Sequence, residues 1–369
     1  MKRPLRVAWV GHDSAALGGG MATYSHELTS GLRRRGLSVT HFHHGFNGDD
    51  DVNSVALDAL PVVKPLVISP PSARRKLADR LQQRGFDLVH ASFWFSSLDF
   101  RLPKLCNDLS IPLVTTFHVA FDNRPTFWGG VFGATYRLYA PALARCARVI
   151  VFGESQRRLL AGLGVPADIL RVLPNGVDVD RYSPGPSDAR SRYSAERLFV
   201  YMGRIDAEKN VDVLIRAFLA ANPPRTVKLL VVGNGTERKK LQRQLADERV
   251  IFTGHLADAE HRIAILRAAD AFFLPSAVEG LSLSMLEAMA CGAATVATDV
   301  GGDGDALRGA GIVIDPANLQ PQLELAISQL MDLPGLASEL GRLARQRVLE
   351  RFTLDRNLER LIALYEEVI

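Results

Sequence analysis

Strand-length apolar runs recur along this 369-residue chain, each closing on glycine or a polar turn and each followed by residues at helical spacing. Residues 5–10 alternate as a buried strand does and stop at Gly11; a glycine triplet follows, then Met21, Tyr24 and Leu28 on one helical side. Strand, glycine loop, helix is how a doubly wound sheet begins. The rhythm continues through apolar runs at 38–43, 86–90, 111–115, 149–152 and 170–173. It pauses at a Pro, Gly and Ser stretch, 183–187, that has linker composition, and restarts at 198–202, 227–232, 250–254, 271–274 and 294–298. Beyond Asp315 and Pro316 only helical patterns remain, at 319–331, 336–350 and 354–369. The expectation is α/β, with two doubly wound domains, residues 1–178 and residues 186–352, followed by a last helix at about 353–369.

Several function classes are excluded early. No apolar run approaches the roughly 20 residues a bilayer span needs, and Val7–Val10 is too short for a secretory signal. Cys106, Cys146 and Cys291 are odd in number and lack metal-ligand spacing, so reduced thiols in a cytoplasmic setting are expected. Charge is unevenly shared. Residues 1–175 hold 21 Lys and Arg against 13 Asp and Glu, and the rest hold 23 against 27. The basic clusters Arg33–Arg35 and Arg74–Lys76 suit either an anionic membrane surface or a solvated helix face. Nothing suggests a nucleic-acid partner.

Chemistry concentrates at residues 275–292. The run 271–274 stops at Pro275, a small-residue loop carries Glu279 and Gly280, and a helix opens at Ser282 to Ser284. A strand, loop and helix N-terminus present unpaired N–H groups and the positive end of a helix dipole, which suit a phosphate or diphosphate. Glu279 and Glu287 are eight apart, so one carboxylate lies in the loop and the other about a turn inside the helix. Earlier in that half, Gly203-Arg204 and Lys209 straddle the turn after an apolar run, and both cations can converge on one anion at the next helix N-terminus. In the first half His118 ends an apolar run, where ligands bind in open α/β sheets.

These stretches together resemble the retaining glycosyltransferases of the GT-B fold, family four (glycosyl transferases group 1). The resemblance spans Gly18 to Asp305 and rests on E-x7-E at Glu279 and Glu287, Gly-Arg-x4-Lys at 203–209, Val-Thr-Thr-Phe-His ending at His118, and Asn175-Gly176-Val177-Asp178 between the halves. It implies two Rossmann-like domains facing across a cleft, a nucleotide-sugar donor on the second and an acceptor mainly on the first, with the final helix, about 353–369, crossing back to pack on the first domain. By that resemblance His118, Arg204, Lys209 and Glu279 are the catalytic group. Donor contacts come from Gly18, Gly19, Gly20, Gly203, Gly233, Phe252, His255, Gly280, Leu281, Ser282, Leu283, Ser284 and Glu287. Glu279 would contact the transferred sugar and position it, not form a covalent adduct; Glu287 would bind the ribose.

The chain departs from the pattern in places. Asn210 follows the lysine where glycine is usual, a change that a left-handed backbone accepts. Leu281-Ser282 stands where Phe-Gly is frequent, and Asp305 where a Glu often follows the glycine pair Gly301-Gly302. No metal or other cofactor is expected, and the Asp49–Asp51 tract is expected to be solvated. The acceptor is either a saccharide or a lipid-linked hydroxyl, the latter implying a peripheral place at the inner face of the membrane. Phe121, Phe127 and Trp128 are candidate acceptor contacts, although the aromatics of 119–139, including Phe132, Tyr136 and Tyr139, equally have the spacing of a core helix. A nucleotide-sugar epimerase or hydrolase, or a non-catalytic nucleotide-sugar-binding subunit, would share the architecture. A dinucleotide enzyme is disfavoured because G-x-G-x-x-G is missing.

Overall fold

The computed structural model describes residues 3–12, 20–44, 53–60, 67–120 and 127–369. It divides into two compact units. The first comprises Met1–Pro174 with Asn357–Ile369, the second Asn175–Arg356, so the 175–187 tract belongs wholly to the second.

The first unit holds seven parallel strands: β1 (Arg6–His12), β2 (Ser38–His44), β3 (Ser54–Leu57), β4 (Leu88–Phe93), β5 (Leu113–Phe117), β6 (Arg148–Val151) and β7 (Leu170–Val172). Their order is β3-β2-β1-β4-β5-β6-β7. All residues of β4 and β5 are buried, as expected of central parallel strands covered on both faces by helices. Tyr136 and Tyr139 of the helix Phe127–Leu143 are buried too, their hydroxyls bonded to Val119 O and Asp99 Oδ2 at 2.9 and 2.8 Å. Of the two expectations for that segment, these two rings follow the core one.

The second unit repeats the plan with β8 (Arg197–Met202), β9 (Val227–Val232), β10 (Val250–Gly254), β11 (Ala271–Leu274), β12 (Ala294–Thr298) and β13 (Ile312–Ile314), in the order β10-β9-β8-β11-β12-β13. This is the Rossmann order. Strand order reverses between β8 and β11, and the crevice beyond their carboxyl ends is where open α/β sheets take ligands. The same reversal lies between β1 and β4 in the first unit. The short edge strands β3 and β13 were not expected from sequence, nor was the helix Leu102–Asp108.

The helix Leu354–Glu366 closes the first unit, its residues from Asn357 onward belonging to it. Leu358 covers Gly31, where an added Cβ would lie 2.5 Å from Leu358 Cδ1. Tyr365 reaches the sheet: its hydroxyl lies 2.6 Å from His90 Nδ1, and His90 Nε2 lies 2.9 Å from Thr116 Oγ1. Trp9 stacks on the His90 ring at 4.0 Å. Burial, with His118 nearby, holds the His90 imidazole neutral, its pKa lowered to about 3.

Candidate functional site

Beyond β8 the chain turns through Gly203 to Ile205 and enters the 3-10 turn Ala207–Lys209 before the helix Val211–Ala220. The next loop stacks directly on it. Gly233 has φ +136°, and a Cβ there would lie 1.9 Å from Gly203 O; one on Gly235 would lie 2.2 Å from Ile205 O. Both positions are closed to side chains. Cross-bonds hold the stack: Gly203 N–H donates to Val232 O at 3.0 Å, Ile205 N–H to Asn234 O at 3.0 Å, and Gly233 N–H to Gly254 O at 2.9 Å.

Asn210 has φ 49° and ψ 33°, left-handed as the departure from glycine requires, and its Nδ2 donates to Pro275 O at 3.0 Å. Together with the Ala277 N–H on Glu208 O at 2.7 Å, this ties the first turn to the loop beyond β11. That loop is pinned at nearly every residue. Asn175 Nδ2 donates to Leu281 O at 2.6 Å, Gly302 N–H to Gly280 O at 2.5 Å, and Ser282 N–H to Asp303 Oδ1 at 2.8 Å. Gly301 sits at φ +57° with the place of a Cβ only 2.1 Å from Glu279 O.

Lys209 and Glu279 meet at the centre. Their Nζ–Oε1 distance is 2.5 Å, both side chains are largely buried, and Ser276 Oγ donates to the same oxygen at 2.8 Å. Arg204 is held differently. Its guanidinium, 56% exposed, binds Asp206 and Glu208, the latter at 3.0 Å. Lys209 and Arg204 are thus engaged by different carboxylates, where sequence suggested convergence on one anion. Ser282 caps the helix Leu283–Ala290, its Oγ accepting from Met285 N–H at 3.4 Å and lying 3.1 Å from Ser284 Oγ. The N–H groups of Leu283 and Ser284 have no carbonyl a turn back within the helix and are suited to an anion. Glu287, one turn further along, is hydrogen-bonded by Tyr182; burial first, then that carboxylate, pushes the phenol up.

Phe252 is half-buried and lines a hollow of about 440 Å³ with Gln242 and Asp247, while His255 is exposed beside Gly254. His118 follows β5 in the first unit, half-buried, its N–H on Phe93 O at 3.1 Å and its ring edge-on to Tyr24 at 4.7 Å. Gly20 begins the helix Gly20–Arg34, and nothing among the described residues lies within 4 Å of the place of a Cβ there. Gly18, Gly19, Phe121 and the Asp49–Asp51 tract lie outside the described residues, as do the side chains of Phe127 and Trp128. Of the basic clusters, Arg33 donates to Val39 O and Lys76 to Ala56 O, and Arg74 and Arg75 are exposed. Sequence reasoning singled out Asp305, yet Asp305 is exposed and the buried carboxyl is Asp303. Tyr182 was also missed: a tyrosine after a polar turn carries no signal that its hydroxyl meets Glu287.

Comparison with known proteins bears on both units. Residues 18–181 match the family model described as Glycosyltransferase Family 4, and residues 196–332 the model described as Glycosyl transferases group 1. The D-inositol 3-phosphate glycosyltransferase of Acidothermus cellulolyticus is 28% identical, over 99% of this chain and 91% of its own length. Glycogen synthase of Mycobacterium tuberculosis is 30% identical, over 94% and 84%. Among solved structures, Anabaena HepE in complex with UDP-glucose superposes with a TM-score of 0.78 at 16% identity, covering 98% of this chain and all of that one.

Proposed function

The chain belongs to the family 4 glycosyltransferases, glycosyl transferases group 1, and from that premise we propose that it transfers a hexose from a nucleoside diphosphate sugar to a hydroxyl. The donor favoured is a UDP-sugar, with GDP-mannose next. The acceptor is a saccharide or a lipid-linked hydroxyl, the configuration at the anomeric carbon is retained, and no metal takes part. UDP-glucose in HepE supports the nucleotide, since its fold is shared over the whole chain.

One observation carries the reading: the Lys209–Glu279 pair stands beside the open N-terminus of Leu283–Ala290, at the switch point of the second sheet. Glycosyl transfer builds positive charge on the sugar ring and negative charge on the departing phosphate. A fixed ammonium and a fixed carboxylate, mostly shielded from water, form a dipole matched to that separation. The Leu283 and Ser284 N–H groups extend its positive end, and Arg204 adds a second, more exposed cation. Glu279 then positions sugar hydroxyls near the developing cation, and His118 is offered as a further contact to the donor sugar.

Thermal-shift titration with UDP, GDP and ADP, followed by their sugars, tests the donor, because binding to the native state alone raises the melting temperature. Acceptor arrays with the best donor follow, with the product anomer read by NMR and a parallel run in chelator. Retention and full activity in chelator are expected. An inverted product, or no response to any nucleoside diphosphate, overturns the reading.

A further inference from the structure

Asp303 begins the helix Asp303–Leu307, directly after the glycine pair that packs under Glu279 and Gly280. It is 1% exposed. One oxygen accepts the Ser282 N–H at 2.8 Å, and the other, Oδ2, is buried with no hydrogen-bond partner among the described residues. Ser282 is the cap of Leu283–Ala290, so whatever holds its backbone aims the first turn of that helix. A buried carboxyl with one oxygen unpaired is costly and needs a reason.

We propose that Asp303 is a positioning residue for the donor diphosphate: by holding the Ser282 amide it fixes the first turn of Leu283–Ala290 and leaves the next two N–H groups open to phosphate. The proposal rests on the donor reading given above. It also accounts for the protonation state the place requires. Burial first, then the Glu279 carboxylate, push the Asp303 acid well above the usual carboxylate range, with the Ser282 N–H and Lys209 opposing. Of the neighbouring carboxylates, Asp299 is paired to Arg308 at 3.0 Å and Asp305 is exposed. That upward direction at Asp303 favours the neutral acid, which accepts from the amide without adding a second negative charge where the diphosphate must sit. Glu279 is itself paired to the Lys209 ammonium at 2.5 Å.

A neutral clamp and a structural carboxylate respond differently to substitution. Asp303→Asn keeps the accepting oxygen and the volume; Asp303→Ala removes the clamp. Calorimetric titration of the full chain at pH 7 uses whichever of UDP, GDP and ADP the wild type binds most tightly. The alanine variant is expected to bind it about tenfold or more weakly, from loss of a buried hydrogen bond and of preorganisation. The asparagine variant should stay within about threefold of wild type, and in turnover the alanine change should fall on the donor KM more than on kcat. If the alanine variant does not fold, Asp303→Ser, whose hydroxyl stops short of the amide, carries the same comparison. Wild-type affinity in the alanine or serine variant, or an asparagine variant as weak as alanine, overturns the proposal while leaving the donor reading intact. A wild type that binds none of the three overturns both.

Discussion

In the proposed transfer, Lys209 is the residue on which the chemistry turns. Its ammonium is held 2.5 Å from Glu279 in a place only slightly open to water, so its removal both takes a cation from the leaving group and leaves Glu279 uncompensated. Lys209→Met is expected to lower kcat/KM by about 10²–10³, the scale of losing one oxyanion donor, measured by release of nucleoside diphosphate. A loss below tenfold would place the cation outside the reaction. A second residue tests the physics of burial alone. Asp99 Oδ2 accepts from Trp94 N–H, Ser96 N–H and the Tyr139 hydroxyl at 3.0, 3.1 and 2.8 Å, yet burial outweighs those bonds and raises its pKa to about 7. The native state therefore binds more protons than the unfolded chain between the ordinary carboxylate pKa and about 7. Its stabilising share is whole below that window and lost as pH rises through it. His90 acts in the opposite sense, its share being present above its unfolded pKa and lost as pH falls toward about 3. Asp99→Asn should thus make stability climb more steeply with pH from 4 to 7, by up to about 1.4 kcal/mol per unit relative to wild type. Denaturant titrations at three pH values would show it; parallel curves for the two proteins would sink it.

Loops that stack on one another, more than the strands beneath them, make the second unit's site. Gly233→Ala must push its Cβ into Gly203 O while holding φ +136°, so the 203–209 turn has to move. The expected cost exceeds about 2 kcal/mol, and binding of the preferred nucleoside diphosphate should fall with it. Gly133, inside the helix Phe127–Leu143 with nothing among the described residues within 4 Å of the place of its Cβ, is the contrast. Gly133→Ala should stabilise by roughly 0.5–1 kcal/mol. If chemical denaturation ranks the two alike, the stacking argument is wrong. The same distinction explains what was legible in sequence. Long apolar runs such as 227–232 and 294–298 announce buried strands by themselves, and the Ser282 to Ser284 opening of the central helix is local cap chemistry. Strands β3 and β13 are too short for periodicity to show and form only because a neighbouring edge is free to pair with. The glycine pairs were visible as glycines, but that Gly233 meets Gly203 and Gly301 meets Glu279 is a property of two loops brought together. Asp303 escaped notice for that reason: beside two glycines it has the composition of a solvated turn, and it is buried only because 275–282 folds down on it.

At the scale of the whole chain, the first unit is built from both ends of the sequence, with the entire second unit inserted between Pro174 and Asn357. The returning residues, 357–369, do more than cover the sheet. They supply Leu358, Leu361, Leu364 and Tyr365 to its core, and Tyr365 gives His90 a partner it cannot replace with water. Glu367, paired with Arg148 and Arg171 at 3.4 Å on the surface, contributes little by comparison. Packing and the buried hydrogen bond can therefore be separated. All three tryptophans, Trp9, Trp94 and Trp128, lie in the first unit, so tryptophan emission reports that unit alone. Tyr365→Phe keeps the ring and strands His90 Nδ1, a cost of about 1–3 kcal/mol, which for a body of this size lowers the emission-detected melting temperature by roughly 3–10 °C. Ending the chain at Arg356 removes four buried apolar side chains at about 1.5–3 kcal/mol each, and the emission transition should fall much further or be lost. A truncated chain melting with the Tyr365→Phe variant would mean that the hydrogen bond, not the packing, is what the returning helix contributes. One melting with wild type would mean that neither holds the first unit together.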